Sequence, residues 1–236
     1  MKRYFFLLLL VLPFSASIAQ SAKMRLGFTA GPTLAWTSSN TNITTNFFTV
    51  GRAGVQLGVT NSLELGDHFF SSVSALYSLQ SFGLKQTGIP SFGIDARFKS
   101  NNLEFPLMFG TCGYLGSLRH REFVGAGLQI NLSNVQTVKL SGDSSTVLTY
   151  TTQTNSLSNI NPVFIAGFEV GSIFKSDAAL YFGATFRYAT TDVYQGQFTS
   201  NRFPVQLPTY NGTYLSFNIT YYLPRYSYWF KREFIY

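Results

Sequence analysis

A two-residue alternation of apolar and polar side chains restricts this chain more than any other feature. In one segment Ala53, Val55, Leu57 and Val59 share a face opposite Arg52, Gly54, Gln56, Gly58 and Thr60. In another, Val124, Ala126, Leu128, Ile130 and Leu132 oppose Phe123, Gly125, Gly127, Gln129 and Asn131. Phe182, Ala184, Phe186 and Tyr188 are set against Tyr181, Gly183, Thr185 and Arg187, and Leu215, Phe217, Ile219 and Tyr221 against Tyr214, Ser216, Asn218, Thr220 and Tyr222. A period of two belongs to a β-strand, whose successive side chains point to opposite faces. Residues 25–31, 72–80, 102–110 and 163–171 follow the rule less tidily, which brings the expected strands to eight. The expected fold is all-β, and an even strand number is what a closed antiparallel bacterial barrel requires.

Whether such a barrel meets water or lipid is a matter of charge. Charged residues make up 11% of the chain and aromatic residues 17%, against about 25% charged in ordinary soluble domains. The amino terminus has the order of a secretory signal, with Lys2 and Arg3, an apolar run over residues 4–14 and a small-residue segment ending in Ala19 and Gln20. Residues 1–19 are therefore read as a cleaved signal peptide, 20–223 as the barrel and 224–236 as an aromatic and basic tail. No later segment has the ~20 apolar residues of a spanning helix, so a spanning chain must be a closed barrel, which satisfies its backbone within the sheet.

The ionisable residues found within the apolar alternations, Arg52, Glu104, Glu169 and Arg187, all fall on the polar, glycine-rich face. A cation on the lipid side costs roughly 2 to 4 kcal/mol at mid-membrane. These four are thus expected to point inward as a structural ion-pair network. Eight strands leave an interior that side chains just fill, and the lumen is expected to be plugged. A soluble lipocalin-like barrel would invert both faces and would need more charge on its exterior.

Polar linkers at 38–46, 86–100, 133–161 and 190–211 alternate with shorter ones at 61–67, 111–121 and 174–177. Long extracellular loops and short periplasmic turns are the outer-membrane arrangement. Within the third long loop, residues 135–140 and 146–150 read as a hairpin around Ser141, Gly142 and Asp143. Pro106 lies inside an expected strand that has two neighbours; proline cannot donate to a ladder, so a bulge near Glu104 is expected.

Motifs for chemistry are sparse. The two histidines, His68 and His120, fall in expected periplasmic turns, away from surface-lipid chemistry and without Cys or His at metal-ligand spacing. Cys112 is the sole cysteine, which excludes an intrachain disulfide. Gly54, Gly58, Gly125, Gly127, Gly167 and Gly183 suit a crowded lumen better than a phosphate loop. Removing Lys2 and Arg3 lowers the formal charge from +7 to +5, and the cations are scattered, which argues against nucleic acid. The tail carries Tyr226, Tyr228 and Trp229 with Arg225, Lys231 and Arg232, the mixture found at membrane interfaces.

The opening Leu26-Gly27-Phe28-Thr29-Ala30-Gly31, the signal end Ile18-Ala19-Gln20 and above all Asn102-Leu103-Glu104-Phe105-Pro106-Leu107 resemble the PorT-like outer-membrane β-barrel family of the Bacteroidota. The last of these is similar to that family's Leu-Glu-x-Pro-Leu strand, and the resemblance implies that Pro106 is a feature of the fourth strand. It further implies an outer-membrane location and, through the family's namesake, a link to type IX secretion. The polar, proline-containing segment that usually precedes the namesake's first strand is absent between Gln20 and Met24. The expectation is a non-enzymatic outer-membrane barrel without cofactor, catalytic or metal residues, whose partners are outer-membrane lipids and an envelope protein. The alternatives are an outer-membrane lipid-modifying enzyme and a small passive channel.

Overall fold

A computed structural model of the chain describes residues 22–35, 47–86, 92–142, 148–153, 160–191, 194–200 and 209–224. The expected signal peptide, the linker at 38–46 and the tail beyond Pro224 lie outside the described residues. The strands are β1 (Ala22–Ala35), β2 (Phe47–Leu65), β3 (Phe69–Gln86), β4 (Phe92–Leu115), β5 (Leu118–Gly142), β6 (Leu148–Gln153), β7 (Ile160–Ile173), β8 (Ala179–Ala189), β9 (Tyr194–Ser200), β10 (Thr209–Tyr210) and β11 (Tyr214–Tyr222).

Eight of them close into an antiparallel barrel in the order β1, β11, β8, β7, β5, β4, β3, β2. Closure joins β1 to β11, with Gly27 opposite Tyr222 and Ala35 opposite Tyr214. The remaining strands, β10, β9 and β6, form a separate three-stranded sheet.

Three tight connections share one end of the barrel. Between β2 and β3 the turn is Gly66-Asp67-His68 and between β4 and β5 it is Gly116-Ser117, with φ of +69° at Gly66 and +63° at Gly116. Such left-handed backbone suits glycine, which has no Cβ to clash. The β7 to β8 connection instead puts Asp177 at φ +65°, and the side chain of Asp177 is held by Arg25.

The strands run well past the expected boundaries. β4 and β5 have 24 and 25 residues, whereas a tilted strand crosses a bilayer in about 9 to 11. Most of the expected loop at 86–100 is strand, and the expected hairpin of 135–140 with 146–150 is not formed. The outer part of β5 pairs with β4, with Val135 opposite Lys99 and Leu140 opposite Ile94. β6 pairs with β9 instead, with Tyr150 opposite Phe198. Beyond the apolar layer the pattern is reversed, with Phe98 of β4 buried and stacked on Phe82 at 4.9 Å while Arg97 and Lys99 are exposed, so the outward apolar face that marks strand elsewhere is missing there.

The expected bulge near Glu104 is present, but it does not lie at Pro106. The ladder between β4 and β5 passes straight through it, with Pro106 opposite Gly127. Toward β3, pairing lapses between Leu107 and Glu104 and resumes in the same register. The missing donor is thus absorbed without a bulge, and the bulge near Glu104 lies at Asn101 and Asn102 against β5. A further bulge in β2 lies between Arg52 and Val55. It contains Gly54, where a Cβ would run into the Leu79 carbonyl oxygen of β3. Gly54 therefore permits close backbone approach, and so does Gly167, whose Cβ would stand 2.6 Å from both the Ala184 carbonyl oxygen of β8 and the Phe123 ring.

Candidate functional site

The barrel is turned inside out relative to a soluble protein. Phe28, Leu57, Val73, Phe109, Val124, Phe164, Phe182 and Phe217, one from each barrel strand, are 52 to 66% exposed. Arg25, Gln56, Glu64, Glu104, Arg121, Gln129, Arg187 and Ser216 are meanwhile buried inside. Burial alternates along β11 and over much of β7 and β8, and it places the faces as the sequence pattern suggests. On β4 and β5 the apolar band has definite limits. Leu103 opposite Ile130, with outward Leu132 next along β5, marks one limit and Phe109 opposite Val124 the other. Outward Arg97 and Lys99 lie beyond the first limit, outward Glu122 beyond the second. A lipocalin-like interior is excluded, because the faces are reversed.

Two charged networks occupy the lumen. The upper one, farther from the tight turns, centres on Glu104 of β4 and Arg187 of β8, whose Oε2 and Nε are 3.3 Å apart. The Tyr214 hydroxyl donates to Glu104 Oε2 at 2.7 Å, while Ser78 and Gln129 donate to Oε1 at 2.5 and 3.3 Å. Arg187 donates to Gln56 Oε1 at 3.1 Å and Ser216 Oγ at 2.8 Å, and its guanidinium lies 5.1 Å from the Tyr214 ring centroid. Gln56 passes the chain on to Asn218 at 2.6 Å, and Asn218 to Thr185 at 2.8 Å. One buried pair is thus embedded in neutral donors and acceptors, the condition under which burial of charge is tolerated.

The lower network, near the tight turns, has a different composition. Glu64 Oε1 of β2 receives Arg119 at 2.7 Å, Arg121 at 2.9 Å and Arg25 at 3.5 Å. Arg25 also pairs with Asp177 at 3.1 Å, which ties β1 to the β7 to β8 turn. The guanidinium of Arg121 sits 4.3 Å from the Tyr181 ring centroid, 4.8 Å from that of Phe70 and 5.0 Å from that of Tyr222. Three electron-rich faces so placed stabilise a cation withdrawn from water. Cys112 belongs to this layer. Its sulfur accepts from Arg119 at 3.1 Å and donates to the Asp67 carbonyl at 3.2 Å, which fixes the β2 to β3 turn.

The structure brings together Glu104 and Arg187 of the four residues expected from sequence. Glu169 lines a cavity together with Arg187, accepts a hydrogen bond from Thr220 and interacts electrostatically with Arg121. Arg52 is half-buried on the inward side of β2 beside the bulge. Arg25, Glu64, Arg119 and Arg121 were not among the expected residues. Their signal was strand parity: Arg119 and Arg121 continue the inward positions of Phe123 and Gly125, and Glu64 continues those of Gln56 and Thr60.

His68 lies in the β2 to β3 turn, whereas His120, also expected in a turn, is an outward residue of β5 opposite Gly113. Strand pairing on both sides of the Gly116-Ser117 turn begins at Leu115 and Leu118, which leaves His120 within the ladder. Among the described residues no group of three or more His, Cys, Asp or Glu side chains is placed to hold a metal ion.

The solved structures to which this chain is similar include outer membrane protein OprG from Pseudomonas aeruginosa, at 10% identity and a TM-score of 0.49 over 86% of this chain and 95% of that one. Neisserial surface protein A is similar at 15% identity and a TM-score of 0.37, over 83% of this chain and 95% of that one. Ail, the attachment invasion locus protein of Yersinia pestis, is similar at 12% identity and a TM-score of 0.36, over 85% of this chain and 99% of that one. No family model and no curated protein sequence matches the chain.

Proposed function

We propose that this chain is a non-enzymatic barrel of the outer membrane, related to the PorT-like proteins of the Bacteroidota. It is exported by the signal at residues 1–19 and inserted with its tight turns toward the periplasm. The observation that carries this reading is the apolar exterior around a charged, hydrogen-bonded interior. Water would face a surface dense in Phe, Leu and Val, whereas lipid accepts it and asks only that the backbone be paired, as a closed sheet ensures. The two lumenal networks act as a plug, so the barrel works through its strand extensions outside the membrane and through an envelope protein partner instead of by conduction. Arg52, Glu104, Glu169 and Arg187 serve the plug.

Envelope fractionation with a heat-modifiability gel tests the location. The folded protein should reside in the outer-membrane fraction and change mobility only on boiling, and a soluble periplasmic pool would contradict it. Mild-detergent purification of the tagged protein from its native envelope tests the partner. A stoichiometric companion protein supports assembly or secretion work. Lipid turnover by the purified protein would contradict the non-enzymatic reading.

A further inference from the structure

Between the two networks lies a cavity of about 20 Å³ bordered by Glu169, Thr29, Thr60, Ser74, Thr220 and Phe123 among others. Its position follows strand by strand. On β2, Thr60 falls midway between Gln56 of the upper network and Glu64 of the lower; on β4, Met108 falls between Glu104 and Cys112. On β8, Thr185 is flanked by Arg187 and Tyr181, and on β11, Thr220 by Asn218 and Tyr222. A space of this size admits a water molecule or two, and water settles where several polar groups converge. Here a carboxylate and a ring of hydroxyls converge, including the Thr29 and Thr220 pair at 3.0 Å and Ser74 donating to Thr60 at 2.7 Å.

We propose that the lumen is sealed twice in series, by the Glu104 and Arg187 network above and by the Glu64 and Arg121 network below, and that the chamber between them holds water bound to Glu169. The inference rests on the plugged reading of the barrel and adds that either seal alone is sufficient. Among the described residues Glu104 and Gln56 bond to Arg187, while Arg119, Arg121 and Arg25 gather on Glu64. Loss of one leaves the other's contacts in place.

The test is conductance in planar bilayers of the full mature chain, refolded and checked for heat-modifiable migration. The variants are E104S with R187S, E64S with R121S, and all four together; each pair removes one acid and one base. The wild type and both double variants should stay at the baseline, and the four-residue variant should open in resolvable steps. Steps as large in one double variant as in the four-residue variant would overturn the second seal while leaving the plugged reading intact. Steps in the wild type would overturn the plugged reading itself, and a folded but silent four-residue variant would overturn the assignment of the seals. A high-resolution crystal structure of the unaltered protein tests the chamber independently of folding in the variants: water density within hydrogen-bond distance of the Glu169 carboxylate is expected, and an empty chamber would contradict the proposal.

Discussion

The two lumenal networks solve the same problem with different materials. The upper one neutralises a single guanidinium with a single carboxylate and spreads the remaining polarity over Gln56, Ser78, Gln129, Tyr214 and Ser216. In the lower one, three guanidiniums converge on one Glu64 oxygen, and Arg121 is held by Phe70, Tyr181 and Tyr222 as well. Tolerance to substitution therefore depends on how many groups share a partner. A network of neutral donors degrades by single bonds, whereas one hub shared by several cations fails at once.

Replacing the hub should therefore have the largest effect. Glu64→Gln leaves buried guanidiniums without their common counter-charge, and uncompensated buried charge costs about 3 to 5 kcal/mol. The urea midpoint of the refolded protein in lipid vesicles should fall accordingly, and an unchanged midpoint would break the contrast between the networks.

Next comes a comparison of adjacent residues on opposite faces. Arg187 is native and inward, so Phe186→Arg places an identical side chain one residue away on the lipid side, at a cost of about 2 to 4 kcal/mol. Assembly into vesicles of the Phe186→Arg protein should drop sharply, as should that of Phe168→Arg, while arginine in place of Thr149 on β6 should leave assembly unchanged. Equal tolerance at all three would mean that the exterior belt does not face lipid.

Glu104→Gln should be milder than Glu64→Gln, at about 3 kcal/mol, because one buried guanidinium loses its counter-charge instead of several, and Arg187 keeps Gln56, Ser216 and the Tyr214 ring. A larger loss than at Glu64 would reverse the proposed ranking. Smallest is Arg121→Lys, which retains the charge and gives up planar stacking, at about 1 kcal/mol; near-ultraviolet circular dichroism of the lower aromatic layer should weaken with little change in the unfolding midpoint.

What the sequence revealed follows the same division between apolar and polar environments. The barrel and its two faces were legible because lipid demands an apolar residue at every second position, from Val124 to Leu132 on β5 for instance. Glu104 and Arg187 were legible as charges inside such runs. Arg119 and Arg121 were not, since outward His120 and Glu122 interrupt the apolar half of the pattern where β5 leaves the belt, although the strand itself continues. Glu64 was obscured in the same way by outward Asn61. The outer part of β4 puts charged Arg97 and Lys99 outward and Phe98 inward, the reverse of the lipid belt, and so read as loop. The pairing of β6 with β9 joins segments far apart in the chain, and no local periodicity encodes it. Pro106 was expected to force a bulge, but a lapse in pairing toward one neighbour sufficed.

An inside-out barrel requires that lipid touch the Phe186 side of the wall and not the Phe123 side. Single tryptophans at these two positions, in a background with Trp36 and Trp229 replaced by phenylalanine, report this through quenching by lipids brominated on their acyl chains. Phe186→Trp should be strongly quenched, and Phe123→Trp, which borders the lumenal chamber, should retain its emission. Equal quenching at both sites, or the reverse order, would contradict the inside-out barrel on which the whole account depends.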